Sequence, residues 1–122
     1  MQGVLIAAHG SRSKDVAETM QFIMNKVRER LPKVKMQLGY LGGTPSIEEA
    51  LDALRIEGVD QVIMIPYFLF RGIHVKETLP EIAEAYRKAF PDMHIEIGTA
   101  LGEDERLAAV LAERIQETGI FK

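Results

Sequence analysis

Cysteine is absent from the 122-residue chain, which excludes a disulfide framework, a thiolate zinc site and an iron–sulfur cluster. Transition-metal chemistry here must use imidazole and carboxylate, and only three histidines supply imidazole. No apolar run approaches the ~20 residues that span a bilayer. The N-terminus has no basic stretch followed by a cleavable apolar segment, so a cytoplasmic location is expected. Charge of either sign is in little excess: 15 basic and 18 acidic residues are interspersed, with a net charge of only -3. That leaves no electrostatic footprint for nucleic acid. Low-complexity tracts, long linkers and internal repeats are missing as well. With 47% hydrophobic residues, residues 1–122 are expected to form a single domain around one packed core.

What is present is a rhythm of strand followed by helix, repeated four times, which predicts an α/β fold with a parallel sheet covered by helices. Residues 3–8 are apolar and read as the first strand. A helix over residues 13–31 follows, with a stripe of Val16, Met20, Ile23, Met24, Val27 and Leu31, stopped by Pro32. The second strand alternates, Val34, Met36, Leu38 and Tyr40 against Lys35, Gln37 and Gly39, so one of its faces should be wet. Its helix begins near Thr44, Pro45 and Ser46. Pro45 suits the first helical turn, Ser46 and Glu49 have capping-box spacing, and Ile47, Ala50, Leu51 and Leu54 form the stripe. Residues 62–65 are continuously apolar and predict a third strand buried on both faces. The next helix should start between His74 and Leu79 and end near Phe90. A fourth strand alternates Met93, Ile95 and Ile97 with His94 and Glu96. The last helix should open with Glu103, Asp104 and Glu105, and Gly119 should stop it.

Strands apolar on both faces belong in the middle of a sheet and alternating strands at its edges. With right-handed crossovers this predicts a single-domain three-layer sandwich whose four-stranded parallel sheet has the order 2-1-3-4. The winding then reverses between strands one and three, and ligands in such sheets bind outside the carboxyl ends of the flanking strands. His9 leaves strand one there, and His74 follows strand three. In isolation His9 could simply hydrogen-bond a loop, and His74 could be an ordinary surface residue at a helix start. Their predicted convergence, from positions 65 apart in the chain, makes them a pair suited to cobalt, nickel or iron as divalent ions. Two ligands leave the shell open, unlike a closed structural zinc site. His94 lies on the polar side of an edge strand and is read as uninvolved.

Bulky apolar residues from Tyr67 to Ile73 fall in a loop. They read either as packing over the sheet end, as a platform for a flat macrocycle, or as half of a subunit interface. Arg12, Arg71 and Lys76 stand near the same end, where they could meet carboxylates or simply stay solvated. Lys14 reads as a helix-surface charge.

The run His9-Gly10-Ser11-Arg12, the start Pro45-Ser46-Ile47, the segment from Pro66 to Phe70, the run Gly72-Ile73-His74-Val75-Lys76 ending at Pro80, and Leu101-Gly102 stand in an order shared with a known family. Along essentially its whole length the chain resembles the small CbiX-type sirohydrochlorin chelatases. The resemblance implies a chelatase-like fold and a lyase-type enzyme. Its reaction would insert a divalent metal, cobalt foremost and otherwise nickel or iron, into sirohydrochlorin for cobalamin, siroheme or a nickel tetrapyrrole. It also implies a homodimer, with the metal as substrate and no permanently bound cofactor. By the resemblance His9 binds metal and accepts a proton, His74 is the second ligand, and Thr44, Leu69, Phe70, Arg71, Gly72 and Ile73 line the macrocycle. Arg12, Lys76 and Glu77 are auxiliary candidates, Glu77 as a further base or ligand. Insertion removes two pyrrole N–H protons while the metal sheds ligands, and neutral imidazole can serve both steps. The chain departs from many relatives in having Leu41 where they have Glu and Thr78 where they have Asp. It also lacks the histidine-rich tract of some relatives, so no metal-storage segment is expected.

Two other readings compete. Histidine phosphatases also place a His-Gly pair after the first strand, but with an arginine before it where Ala8 stands here. A cobalt or nickel carrier would bind metal without turnover.

Overall fold

The computed structural model describes residues 1–10 and 13–120. The elements run β1 (Gln2–Ala8), α1 (Lys14–Arg30), β2 (Lys35–Tyr40), α2 (Ile47–Ile56), β3 (Gln61–Pro66), a π-helical turn (His74–Thr78) leading into α3 (Leu79–Ala89), β4 (His94–Ile97) and α4 (Glu105–Glu117). Local chemistry sets several of the boundaries. The Ser13 side chain accepts a hydrogen bond from the Asp15 amide at the start of α1. Ser46 and Glu49 form the reciprocal capping box at α2, with bonds of 3.1 and 3.0 Å. Asp104 caps α4, and Gly119 follows that helix at φ +74°.

All strand pairs are parallel and the order is β2-β1-β3-β4. The expected winding reversal therefore lies between β1 and β3. Register sorts the side chains into two faces. Leu5 and Ala7 of β1 line up with Met64 and Pro66 of β3, on the side where Ile47, Ala50, Leu51 and Leu54 of α2 and Leu79, Ala83 and Tyr86 of α3 complete the main core. On the other side Ala8, Tyr40 and Met20 of α1 form a smaller cluster, with Ile6, Val16, Leu38 and Tyr67 against it.

The layers are thus unequal. Of the α1 stripe only Met20 and Met24 are buried, Leu31 is exposed, and α4 buries none of its residues. The third strand consequently departs from the two-sided burial predicted for it. Val62 and Met64 are enclosed, but Ile63, pointing to the thin side, is 39% exposed. A hollow of about 670 Å³ lies there, over Gln2, Val4, Lys33, Val34, Gln61, Ile63, His94 and Glu96.

Three local expectations are also corrected. Gly39, expected on a wet face, is buried because its missing side chain lets α2 approach: a Cβ there would stand 2.8 Å from the Ile47 Cα. Pro45 precedes the α2 cap rather than entering the helix, and its carbonyl accepts from the Tyr40 amide at 2.8 Å. Glu103 sits outside α4 at φ 58°, so Asp104 takes the capping position. No helix of the described residues is long and apolar enough to cross a membrane.

Candidate functional site

His9 is the first residue past β1, and the neighbouring strand ends hold its backbone. The Leu41 amide donates to the Ala8 carbonyl and the Gly42 amide to the His9 carbonyl, both at 2.9 Å, while the Tyr67 amide donates to Ala7 at 2.7 Å. Immediately afterwards the chain turns through Gly10 at φ +82°. A side chain at Gly10 would meet Tyr40 and the Gly42 carbonyl at 2.8–2.9 Å, so glycine is required by both conformation and space. The imidazole is left exposed.

His74 is presented by the π-helical turn. The Leu79 amide donates to the His74 carbonyl five residues back, and Gly72 accepts from Val75 and Lys76 at 3.1 Å. Pro80 explains the wide turn: it has no amide to donate, and in a regular α-helix its ring would press on the Lys76 carbonyl. The half-buried His74 ring lies 6.2 Å from the Phe68 ring, inclined by 33°. Its Nδ1 is 3.2 Å from the Thr78 hydroxyl.

The two histidines meet. Their ring centroids are 5.3 Å apart and the rings stand at 75° to one another. Two imidazoles sharing one metal through bonds of about 2.0–2.1 Å at a tetrahedral angle would have centroids roughly 5 Å apart, so the spacing suits a shared ion. Among the described residues no third His, Cys, Asp or Glu completes a metal-holding group.

In the segment leading into His74, Leu69, Phe70 and Ile73 are 54, 80 and 64% exposed. Such exposure of large apolar side chains in one short segment marks a contact surface. Leu69, Phe70 and Arg71 also line a hollow of about 610 Å³ with Thr99, Ala100, Gly102 and Glu103. The loop after β4 is tied to this strip, since the Leu101 amide donates to Phe68 at 3.0 Å and a Cβ on Gly102 would overlap the Leu69 carbonyl oxygen. A smaller hollow of about 380 Å³ beside His9 is lined by Asp15, Val16, Thr19 and Tyr67 among others. Thr44 is exposed in the loop that Gly42 ties to His9. A Cβ on Gly72 would meet nothing within 4 Å. Arg71, Lys76 and Glu77 are exposed, and among the described residues none of them is in an ion pair. Arg12 and Ser11 lie outside the described residues. His94, read as uninvolved, is on β4 at the rim of the sheet-face hollow, away from the pair.

Residues 3–118 match the family model for CbiX. The chain belongs to the CbiX family. It is 33% identical over 118 residues to the sirohydrochlorin cobaltochelatase of Sulfurisphaera tokodaii, covering 96% of this chain and 93% of that protein. Against the sirohydrochlorin ferrochelatase of Priestia megaterium it is 28% identical over 123 residues, but spans only 46% of that longer protein. The crystal structure of the sirohydrochlorin chelatase SirB from Bacillus subtilis subspecies spizizenii in complex with cobalt shares the fold, with a TM-score of 0.83 at 24% identity over 95% of this chain and 50% of that one. This CbiX chain therefore corresponds to about half the length of some relatives and to nearly all of others.

Sequence reasoning missed three contributors to the site of this CbiX protein. Thr78 carries a usable signal, four residues after His74 on one helical run. Phe68 was visible only as part of an apolar segment. The loop over 99–103 had no signal of its own beyond the pair Leu101-Gly102.

Proposed function

We propose that the chain is a sirohydrochlorin chelatase that inserts a divalent metal, cobalt foremost and nickel or iron otherwise, into the macrocycle. The observation that carries this reading is the His9–His74 pair, 5.3 Å apart at the switch point of the sheet, with an exposed apolar segment leading into His74. Relatives whose printed activities are cobaltochelatase and ferrochelatase support it. His9 and His74 hold the incoming ion. His9, the more exposed of the two, accepts protons released from the pyrrole nitrogens as the metal–nitrogen bonds form. Each turnover consumes one free-base macrocycle and one divalent ion and yields the metallated ring and two protons. Leu69, Phe70 and Ile73 offer the flat apolar surface, Gly72 leaves room above it and Thr44 closes the opposite loop. Arg71, Arg12 and Lys76 take peripheral carboxylates, and Glu77 is an auxiliary base.

The chain acts as a homodimer in this reading, in the cytoplasm and without a resident cofactor. Leu107, Val110, Leu111 and Ile115 fall on one stripe of α4, a helix with no buried residue. This chain spans 46 and 50% of two longer relatives. A second copy is the occupant that fits both facts.

The test is to mix the protein with sirohydrochlorin and cobalt, nickel or ferrous ions and follow the absorbance of the macrocycle against a protein-free control. His9→Ala and His74→Ala should each slow insertion at least ~100-fold, the scale of general-base catalysis. Near-normal rates in both variants would refute the roles. Metal binding without turnover would instead indicate a carrier, and hydrolysis of a generic phosphate ester without added metal a phosphatase.

A further inference from the structure

We infer that Thr78 is a positioning residue that keeps His74 protonated at Nδ1 and so reserves Nε2 for the metal; this rests on the reading of His74 as a metal ligand. A neutral imidazole has one N–H donor and one acceptor nitrogen, and the partner of the first decides the role of the second. His74 Nδ1 lies 3.2 Å from Thr78 Oγ1. That nitrogen faces its own helical turn and is already occupied, which leaves Nε2 as the available ligand atom. A metal on Nε2 requires its lone pair, hence a proton on Nδ1 donated to the threonine oxygen. Were the hydroxyl the donor, the proton would sit on Nε2 and block the ion.

The remaining contacts favour a fixed ring. Phe68 flanks the imidazole at 6.2 Å and 33°, and a β-branched threonine in a helix has few χ1 choices. The wide turn set by Pro80 brings residues 74 and 78 onto one face. A hydroxyl is uncharged, so it orients the ring without adding a carboxylate beside the ion. The same type of outer contact fixes ring orientation and tautomer in metal-binding histidines generally.

The experiment reads the tautomer directly. In the metal-free protein with 15N-labelled histidine, two-bond correlation spectra should give His74 a pyrrole-type Nδ1 and a pyridine-type Nε2. Thr78→Val removes the acceptor at nearly constant volume. It should move His74 toward the Nε2–H form and weaken cobalt(II) binding by about 10–100-fold, while Thr78→Ser restores both. His94, which pairs across β3 with the start of β1 and so lies at the opposite end of the sheet, serves as the internal reference. An Nε2–H tautomer in the unmodified protein would overturn the inference, and so would a Thr78→Val variant with unchanged tautomer and cobalt affinity. If Thr78→Val does not fold, the tautomer of the unmodified protein decides alone. His74→Ala separates the two levels. Undiminished cobalt binding in that variant defeats the reading of His74 as a ligand, whereas its loss alongside normal binding by Thr78→Val defeats only the role of Thr78.

Discussion

Gly10 shows how much of the site depends on single atoms. Its φ of +82° costs a side-chain-bearing residue about 1–3 kcal/mol, and a Cβ would in addition strike Tyr40 and the Gly42 carbonyl. Gly10→Ala should therefore lower stability by roughly 2 kcal/mol or more and displace His9, which precedes it. Urea denaturation and cobalt titration of the variant check both effects. Unchanged midpoint and affinity would show that the turn can relax without moving the imidazole. His9, Gly10 and His74 were all legible as residues in the sequence. The 3.2 Å contact of Thr78 with His74 was not, because the run from His74 to Thr78 could equally have been loop, and four-residue spacing has meaning only on a helix.

At the level of elements, chemistry that acts over a few residues was read most faithfully. The Ser46–Glu49 capping box exists as its spacing suggests, and Ser46→Ala should cost about 1 kcal/mol. The expected result is a melting temperature lower by several degrees with cobalt affinity retained, since α2 carries no ligand. Loss of cobalt binding would mean that the cap also sets the loop holding Thr44. Pro45 was placed one step too far into this helix, because a proline beside a capping serine fits the chemistry of either side of the boundary. The π-helical turn before α3 was out of reach for a similar reason. Pro80 announces a disturbance, but whether the chain kinks, breaks or widens depends on the packing of Leu79 and Ala83 against the sheet.

Across the whole molecule the main core lies under α2 and α3, and the opposite face is only partly covered. The apolar stripe of α4, with Leu111 64% exposed, is the clearest consequence. If a second copy covers it, Leu111→Glu should weaken self-association at least ~30-fold, the effect of losing about 2 kcal/mol at a central contact. Sedimentation velocity over a range of concentrations measures this directly. A variant that assembles as tightly as the parent protein would place the interface elsewhere.

The amino-acid sequence by itself determined the strand–helix rhythm, the strand order 2-1-3-4 and the meeting of His9 with His74, because these follow from periodicity, handedness and the position of the winding reversal. Only the tertiary structure decided how completely each sheet face is covered. Continuous apolarity in residues 62–65 says that burial is affordable there, but which helix, or which second chain, supplies the cover is a long-range matter. Ile63, 39% exposed in a run of apolar neighbours, records that difference.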